Sequence, residues 1–491
     1  MSRLHNAFQP RVIALSFLLA LALVRGSGQT ISSSHRQVEQ MVDAHAAEFK
    51  DTSKEIWGFA ELGYHEQKSS ALLQRDLKQA GFTIQAGVAH EPTGFIASYG
   101  SGKPVIAILG EFDALPGLSQ DIIPTRKPLI QGGPGHGCGH NLLGSGAALA
   151  AVAVKDYMVK NHIDGTLRYY GTPAEEGGSG KVYMLRAGLF QDVDVVLHWH
   201  PEDHNAVIDG GMLAVTGAKF TFHGIAAHAA AAPERGRSAL DAVMLMGTGI
   251  EFMRQLVPSD TRIHYIITKG GAAANIIPDL AQMELVARNP SQQTLNEIWA
   301  RIIKVAKGAA MMTETTVDIQ IESSSSNILP NDPLASLAQK NLEEVGGFTY
   351  TEQEKEFALA LQKTLPPEGA LSLDATQEVE SLAKATANSP SASTDVGDVS
   401  WNVPTIGFLA ASFVPGVVPH TWQAAASAGM SIGQDGMLVA SRALALTAVD
   451  LFTDPSLVQA AKADFQKKLI GKTYESAIPA DQLPQLNYRD N

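Results

Sequence analysis

At 491 residues the chain exceeds the ~250–300 over which a single hydrophobic core keeps growing, so at least two compact units are expected. Hydrophobic residues at 45%, charged residues at 18%, 44 Gly and 24 Pro describe a loop-rich globular protein and exclude global disorder, a collagen and a coiled-coil rod. With 37 Lys and Arg against 50 Asp and Glu, the net charge of −13 repels phosphate backbones and anionic membrane surfaces, so nucleic acid is not an expected partner.

The chain opens with Arg3 and Arg11 and an apolar run over residues 12–24, shorter than the ~20 residues a spanning helix needs. Residues 1–28 therefore read as a signal peptide, with Gly26 and Gly28 offering a cleavage point before Gln29. The expectation is an exported protein, periplasmic or secreted, with no stable membrane span after cleavage. Arg25 and the lack of an Ala-x-Ala site leave an uncleaved anchor as the alternative. No later stretch is expected to approach membrane-spanning length. Cys138 is the one cysteine, so no internal disulfide can form. An isolated cysteine is either a small buried hydrophobe or a metal ligand.

Apolar spacing predicts helices within 36–80, followed by short strands at 94–99, 105–109, 167–170 and 193–197, with a helix over 142–160. Strands alternating with helices indicate an α/β sheet, mostly parallel, whose ligand site lies beyond the carboxyl ends of the strands. From 212 the order changes to strand (218–222), helix (239–256), strand (263–267), strand (282–287), helix (295–309), strand (316–321). That β-α-β-β-α-β order predicts an inserted ferredoxin-like α+β domain over 212–323, splitting a catalytic domain into 36–211 and 324–455. Residues 350–392 are acidic and poor in aromatics, which suggests a surface excursion over the site or a mobile loop. Residues 456–491 form a C-terminal tail.

Four segments near predicted strand ends carry chemistry. Gln131-Gly-Gly-Pro-Gly-His-Gly-Cys-Gly-His-Asn141 sets Cys138 and His140 on either side of one glycine, so a thiolate and an imidazole can turn toward one cation. A flexible glycine loop with incidental polar residues is the plain alternative. Gly171-Thr-Pro-Ala-Glu-Glu-Gly-Gly178 offers two adjacent acids, which can divide into a metal ligand and a base for an attacking water. A Glu pair is more commonly a solvated surface, but here Lys181 is the one basic residue nearby. Leu197-His-Trp-His-Pro201 and Pro419-His420-Thr-Trp422 add histidines that, singly, would pass for core residues.

Together with Glu111-Phe-Asp-Ala-Leu-Pro116, Gly224-Ile-Ala-Ala-His228 and Ser393-Thr-Asp-Val-Gly-Asp-Val-Ser-Trp401, these motifs run in an order that resembles metallopeptidase family M-twenty, in its amidohydrolase branch. The likeness covers about residues 40–455. It implies a zinc-peptidase-like catalytic domain and a lid and dimerisation domain at 212–323. It also implies two divalent metal ions, Mn²⁺ or Zn²⁺, held by Cys138, His140, Glu176, His200 and His420, with Glu175 as general base. Asp113 would orient a ligand histidine, whereas Glu111 is left outside the ligand set, because other branches carry a metal-binding His at its position. His228 would stabilise the oxyanion of a neighbouring subunit's site, and Asn275 and Arg288 would hold a substrate's free carboxylate. For Arg288 an exposed strand-end charge is the competing reading. The implied activity is hydrolysis of the amide bond of an N-acyl amino acid, p-aminobenzoyl-glutamate or a similar conjugate. The implied partners are a small-molecule substrate with a free carboxylate, a second copy of the chain through the lid, and a possible A-type subunit. A dipeptidase on the same scaffold and a non-catalytic conjugate-binding protein are the rival readings.

Overall fold

The computed structural model describes residues 32–387 and 392–489, so the predicted signal peptide lies outside the described residues. The first helix, Ser33–Phe59, starts at Ser32, whose side chain accepts from the His35 backbone N–H. It buries Val38, Val42, Phe49 and Ile56 at helical spacing. His35 ties this helix to two distant ones, through Glu344 at 2.8 Å and Asp450 at 2.9 Å. The hydrogen bond to Asp450 raises the His35 pKa above 6.5, against burial and with Glu344 in support. A raised folded-state pKa stabilises fully below the unfolded value of about 6.5 and is lost as pH rises through the folded one. His35→Gln should therefore cost about 1.5–3 kcal/mol near pH 6 and progressively less toward pH 9, read as the gap between wild-type and variant melting curves.

Seven strands form the central sheet, in the spatial order Thr83–Ala86, Phe95–Ser101, Gly165–Thr172, Val105–Glu111, Val195–Glu202, Thr405–Ala411, Ala206–Ile208. The middle four run parallel, and the edges are antiparallel. The parallel strands are almost continuously apolar, as expected of strands covered on both faces. Each expected strand is present, but most run further than their apolar cores. Val195–Glu202 carries the Trp-His-Pro segment inside the strand rather than in the loop beyond it. The edge strand Thr83–Ala86 is an addition, too polar and exposed to show an apolar pattern.

The helix His140–Asn161 packs between the sheet and the helices Ser33–Phe59 and Ser431–Thr453. Gly144 makes this possible, since a Cβ there would stand 2.6 Å from the Glu111 carbonyl oxygen. At 22 and 23 residues, His140–Asn161 and Ser431–Thr453 are long and apolar enough to cross a membrane, which corrects the expectation that no later stretch reaches that length. Both are mostly buried in the core, whose close packing accounts for their apolar faces all round.

Residues 214–325 build a four-stranded antiparallel sheet in the order Thr316–Ser325, Ala214–His223, Leu280–Asn289, Arg262–Lys269. The helices Ala239–Arg254 and Gln292–Met312 cover one face, with Phe220, Phe222, Met283 and Leu285 in a core of their own. The opposite face turns Val286 and Arg288 toward the first domain.

The acidic stretch is not a bare loop. It contains the helix Glu352–Gln362, started by a reciprocal Thr351–Glu354 capping box and anchored by buried Phe357, Ala358 and Leu361. Further on, Asn205 Nδ2 donates to the carbonyls of Thr376 and Glu378, both at 3.0 Å, holding the segment against the sheet edge.

Candidate metal centre

Strand ends and glycine-locked turns deliver the polar residues to one cavity of about 710 Å³ between the two domains. Gly139, at φ 74°, precedes the helix His140–Asn161, and a Cβ on it would stand 2.9 Å from Pro201. Only glycine fits there, and its turn sets Cys138 and His140 to either side. Cys138 Sγ lies 3.4 Å from His200 Nε2, and the His140 and His200 rings meet edge to face at 5.7 Å. His420, also in a left-handed conformation at φ 64°, donates its backbone N–H to the Gly137 carbonyl at 2.8 Å. Its Nε2 stands 3.1 Å from Glu176 Oε1.

His140, buried, and His200, partly buried, are each oriented by a partner on the far side of the ring. His140 Nδ1 faces Asp113 Oδ1 at 2.9 Å, and His200 Nδ1 donates to the Pro201 carbonyl at 2.8 Å. Both rings therefore turn Nε2 inward, as metal-binding imidazoles do. Asp113 also accepts the Glu176 backbone N–H through Oδ2 at 2.9 Å, so one buried carboxylate sets two of the expected ligands.

Ligand atoms of Cys138, His140 and His200 lie within 4.8 Å of one another, as do those of Cys138, Glu176 and His420. Cys138 is common to both trios, which is the arrangement a bridging thiolate would need. A third trio joins Glu111, His140 and Glu175. Burial and the crowded acids dominate the electrostatics of the site. Burial, followed by the charges of Glu176 and Glu175, pushes the Cys138 thiol well up. Burial opposes protonation of His140, but Asp113, Glu111 and Glu176 outweigh it and raise its pKa to about 10. His200 is lowered to about 4, first by burial and then by His140. Glu175 is raised well above the usual carboxylate range by burial, then by Glu111, Glu176 and Asp395.

Arg288 lines the same cavity, together with Val286, Val215, Val207 and Ile208. His228 and Asn275 do not; both are exposed, His228 on a two-stranded ribbon where it pairs with Ile276, and Asn275 in the turn just before that strand. His198, two residues before His200 on the same strand face, is buried and lines the cavity, with burial lowering its pKa to about 3.

Three contributors were not expected. Glu111 places Oε2 at 3.2 Å from His140 Nε2, next to one of the expected ligand atoms. Lys181, the basic residue beside the Glu pair, instead bridges Glu111 at 2.7 Å and Asp395 at 2.6 Å. The C-terminal tail reaches the site: Tyr488 Oη donates to the Glu176 carbonyl at 3.1 Å, and Arg489 donates to the same oxygen. Earlier tail contacts, including buried Ile478 and the Gln482 bond to Ile321 at 2.9 Å, fix its course. Deleting 486–491 should leave the fold intact but weaken cation binding roughly tenfold, as loss of an outer-shell support does. Isothermal titration of the metal-stripped protein would measure this, and unchanged affinity would exclude a supporting role for the tail.

A model of Peptidase family M20/M25/M40 matches residues 107–424, and the chain belongs to this family of hydrolases. It is 39% identical over 473 residues to the B-type subunit of p-aminobenzoyl-glutamate hydrolase from Escherichia coli (strain K12), across 92% of this chain and 98% of that protein. It is 30% identical over 450 residues to the Xaa-Arg dipeptidase of Mus musculus, across 88% and 92%. Among solved structures, the Bacillus subtilis YXEP protein, a dinuclear metal binding peptidase, superposes with a TM-score of 0.57 at 17% identity, covering 84% of this chain and 99% of that one. The protein is thus an enzyme that hydrolyses amide bonds.

Proposed function

We propose that the protein hydrolyses the amide bond of an N-acyl amino acid with the help of two divalent cations, p-aminobenzoyl-glutamate or a similar conjugate being the first substrate to test. The observation that carries this is the convergence of Cys138, His140, Glu176, His200 and His420 into two trios sharing one sulfur, beside the half-buried carboxylate of Glu175. The residues fit such ions, because Glu111 Oε2, His140 Nε2 and Glu176 Oε1 are buried and have no hydrogen-bond partner. A thiolate favours Zn²⁺, while the imidazoles and carboxylates also suit Mn²⁺. When bound, the ions would supply an acidified water and polarise the scissile carbonyl.

Glu175 takes the proton of the attacking water and later delivers it to the leaving nitrogen, so the C–N bond breaks without a covalent enzyme intermediate. Arg288 pairs its planar fork with the substrate's free carboxylate, while the valines and Ile208 exclude water around the acyl side. The 214–325 unit, ferredoxin-like in its strand order, acts as the lid. Asn275 and His228 serve the site of a second copy. The backbone N–H groups of Ala230 and Ala231 donate to His228 Nδ1 at 3.2 and 3.1 Å, which leaves the neutral ring's proton on Nε2, free to donate to an oxyanion. Lid-to-lid dimerisation is supported by the strand Arg262–Lys269, paired on one side only, with Ile266 61% and Ile267 47% exposed. The likeness to a B-type chain, with A-type chains among the relatives, also supports assembly with an A-type partner. The leader-like residues 12–24 support a site of action outside the cytoplasm.

A second reading, hydrolysis of dipeptides with a basic residue, is favoured by acidic groups such as Glu202 on the cavity wall and by the Xaa-Arg dipeptidase relative. A panel of p-aminobenzoyl-glutamate, N-acyl amino acids and Xaa-Arg dipeptides tests both. Turnover of the first two with Arg288→Ala raising KM about ten- to hundredfold is the expected result, a buried charge pair being worth about 1.5–3 kcal/mol. Preference for the dipeptides transfers the assignment to the second reading, and no turnover of any places the substrate outside all three classes.

A further inference from the structure

Two carboxylate–imidazole pairs flank Cys138 and share one geometry. Glu176 Oε1 stands 3.1 Å from His420 Nε2, and Glu111 Oε2 stands 3.2 Å from His140 Nε2. Neither contact is a hydrogen bond: Glu176 Oε1, Glu111 Oε2 and His140 Nε2 are all buried without a hydrogen-bond partner. Buried polar atoms this close that are not aimed at each other share a third point in space. Around a cation with bonds of about 2.0–2.2 Å, neighbouring ligand atoms lie roughly 3.0–3.5 Å apart. The two pairs have that spacing.

We infer that Glu111 is a cation ligand on the His140 side of the centre, the counterpart of Glu176 on the His420 side, and that Lys181 is the positioning residue that holds it there. The strand Val105–Glu111 lies between the one leading to Glu175 and Glu176 and the one carrying His200, so Glu111 stands at the floor of the site. Its other oxygen, Oε1, is taken by Lys181 Nζ at 2.7 Å, which leaves Oε2 as the single oxygen it can offer. Lys181 is wholly buried and cannot swing away, because Asp395 accepts from both its ammonium, at 2.6 Å, and its backbone N–H, at 2.9 Å. An ammonium is buried at this depth only when paired, and the pair it makes fixes the orientation of the Glu111 carboxylate. The ligand set on the His140 side then becomes Cys138, His140, His200 and Glu111.

This inference rests on the two-cation reading, and the test separates the two. Metal-stripped wild-type and Glu111→Gln proteins are titrated with Co²⁺, following calorimetric affinity and visible d–d absorption. Wild type should bind two ions. Glu111→Gln should keep one unchanged and bind the other at least tenfold more weakly, with altered absorption. Lys181→Met should weaken that same ion alone, whereas a merely structural lysine would weaken both or neither. Two ions bound by Glu111→Gln with unchanged affinity and spectrum overturn the Glu111 assignment only. Fewer than two ions on wild type overturn the two-cation reading with it. If either variant fails to fold, a wild-type crystal soaked in Mn²⁺ decides. An anomalous peak about 2.2 Å from Glu111 Oε2 supports the ligand role, and a Mn²⁺ peak at His140 with Oε2 beyond about 3.5 Å removes it.

Discussion

Glu175→Gln is expected to bind cations as tightly as wild type and to lose about 10²–10⁴-fold in kcat, the range a positioned general base contributes. The amide keeps the size and most of the polarity of the carboxylate but cannot accept a proton. Its metal content should be unchanged because the two trios of Cys138 are complete without it. Adjacent residues on one tight turn thus take different tasks. Glu176 faces His420, while the ligand atom of Glu175 lies with those of Glu111 and His140. The turn itself is set by Ala174, whose backbone N–H donates to buried Glu66 at 2.9 Å, and by the Gly178 N–H bond to the Ala174 carbonyl at 2.9 Å. Steady-state hydrolysis with metal analysis by mass spectrometry on the same sample checks the result. A kcat within tenfold of wild type would take the base role away from Glu175.

Cys138→Ala is expected to weaken both cations together, and to lose turnover wherever the cations are not saturating. The sulfur belongs to both trios, so one substitution removes a ligand from each ion. Structural sites of about four ligands bind with roughly 10–16 kcal/mol, so each lost ligand removes about 3 kcal/mol, or more than 10²-fold in affinity, at both positions. His420→Ala should behave differently, since His420 enters only the trio with Glu176. Equilibrium dialysis of the two variants in parallel distinguishes them. Two ions bound by Cys138→Ala with unchanged affinity would show that the sulfur serves neither ion.

The parts of this centre that were legible in the amino-acid order are those built by local rules. Cys138 and His140 declare themselves because a glycine run before a helix permits one kind of turn, and Gly139 is in that turn. Glu175 and His200 are found by the habit of parallel sheets to collect ligands at their carboxyl ends. Elements with sustained apolar spacing were legible too, including both helices of the inserted unit. What escaped depends on contacts far apart in the chain. Lys181 reads as the neighbour of Glu175 and Glu176, yet its partners are 70 residues before it and 214 after it. Glu111 looks like a departure from a histidine, and only the fold shows that its carboxylate stands 3.2 Å from His140 Nε2. Tyr488 and Arg489 give no local sign, because a tail's destination is set by what it crosses on the way. The helix Glu352–Gln362 was hidden by its charged outer face, although Thr351 followed three residues later by Glu354 is a helix start that could have revealed it.

The most direct test is a count of Zn²⁺ on wild-type protein, stripped with chelator and re-equilibrated by dialysis, using elemental analysis against protein concentration. Two ions per chain, both bound more than about 10²-fold more weakly by Cys138→Ala, is the predicted result. A stoichiometry of zero or one at saturating Zn²⁺ would contradict the account at its root.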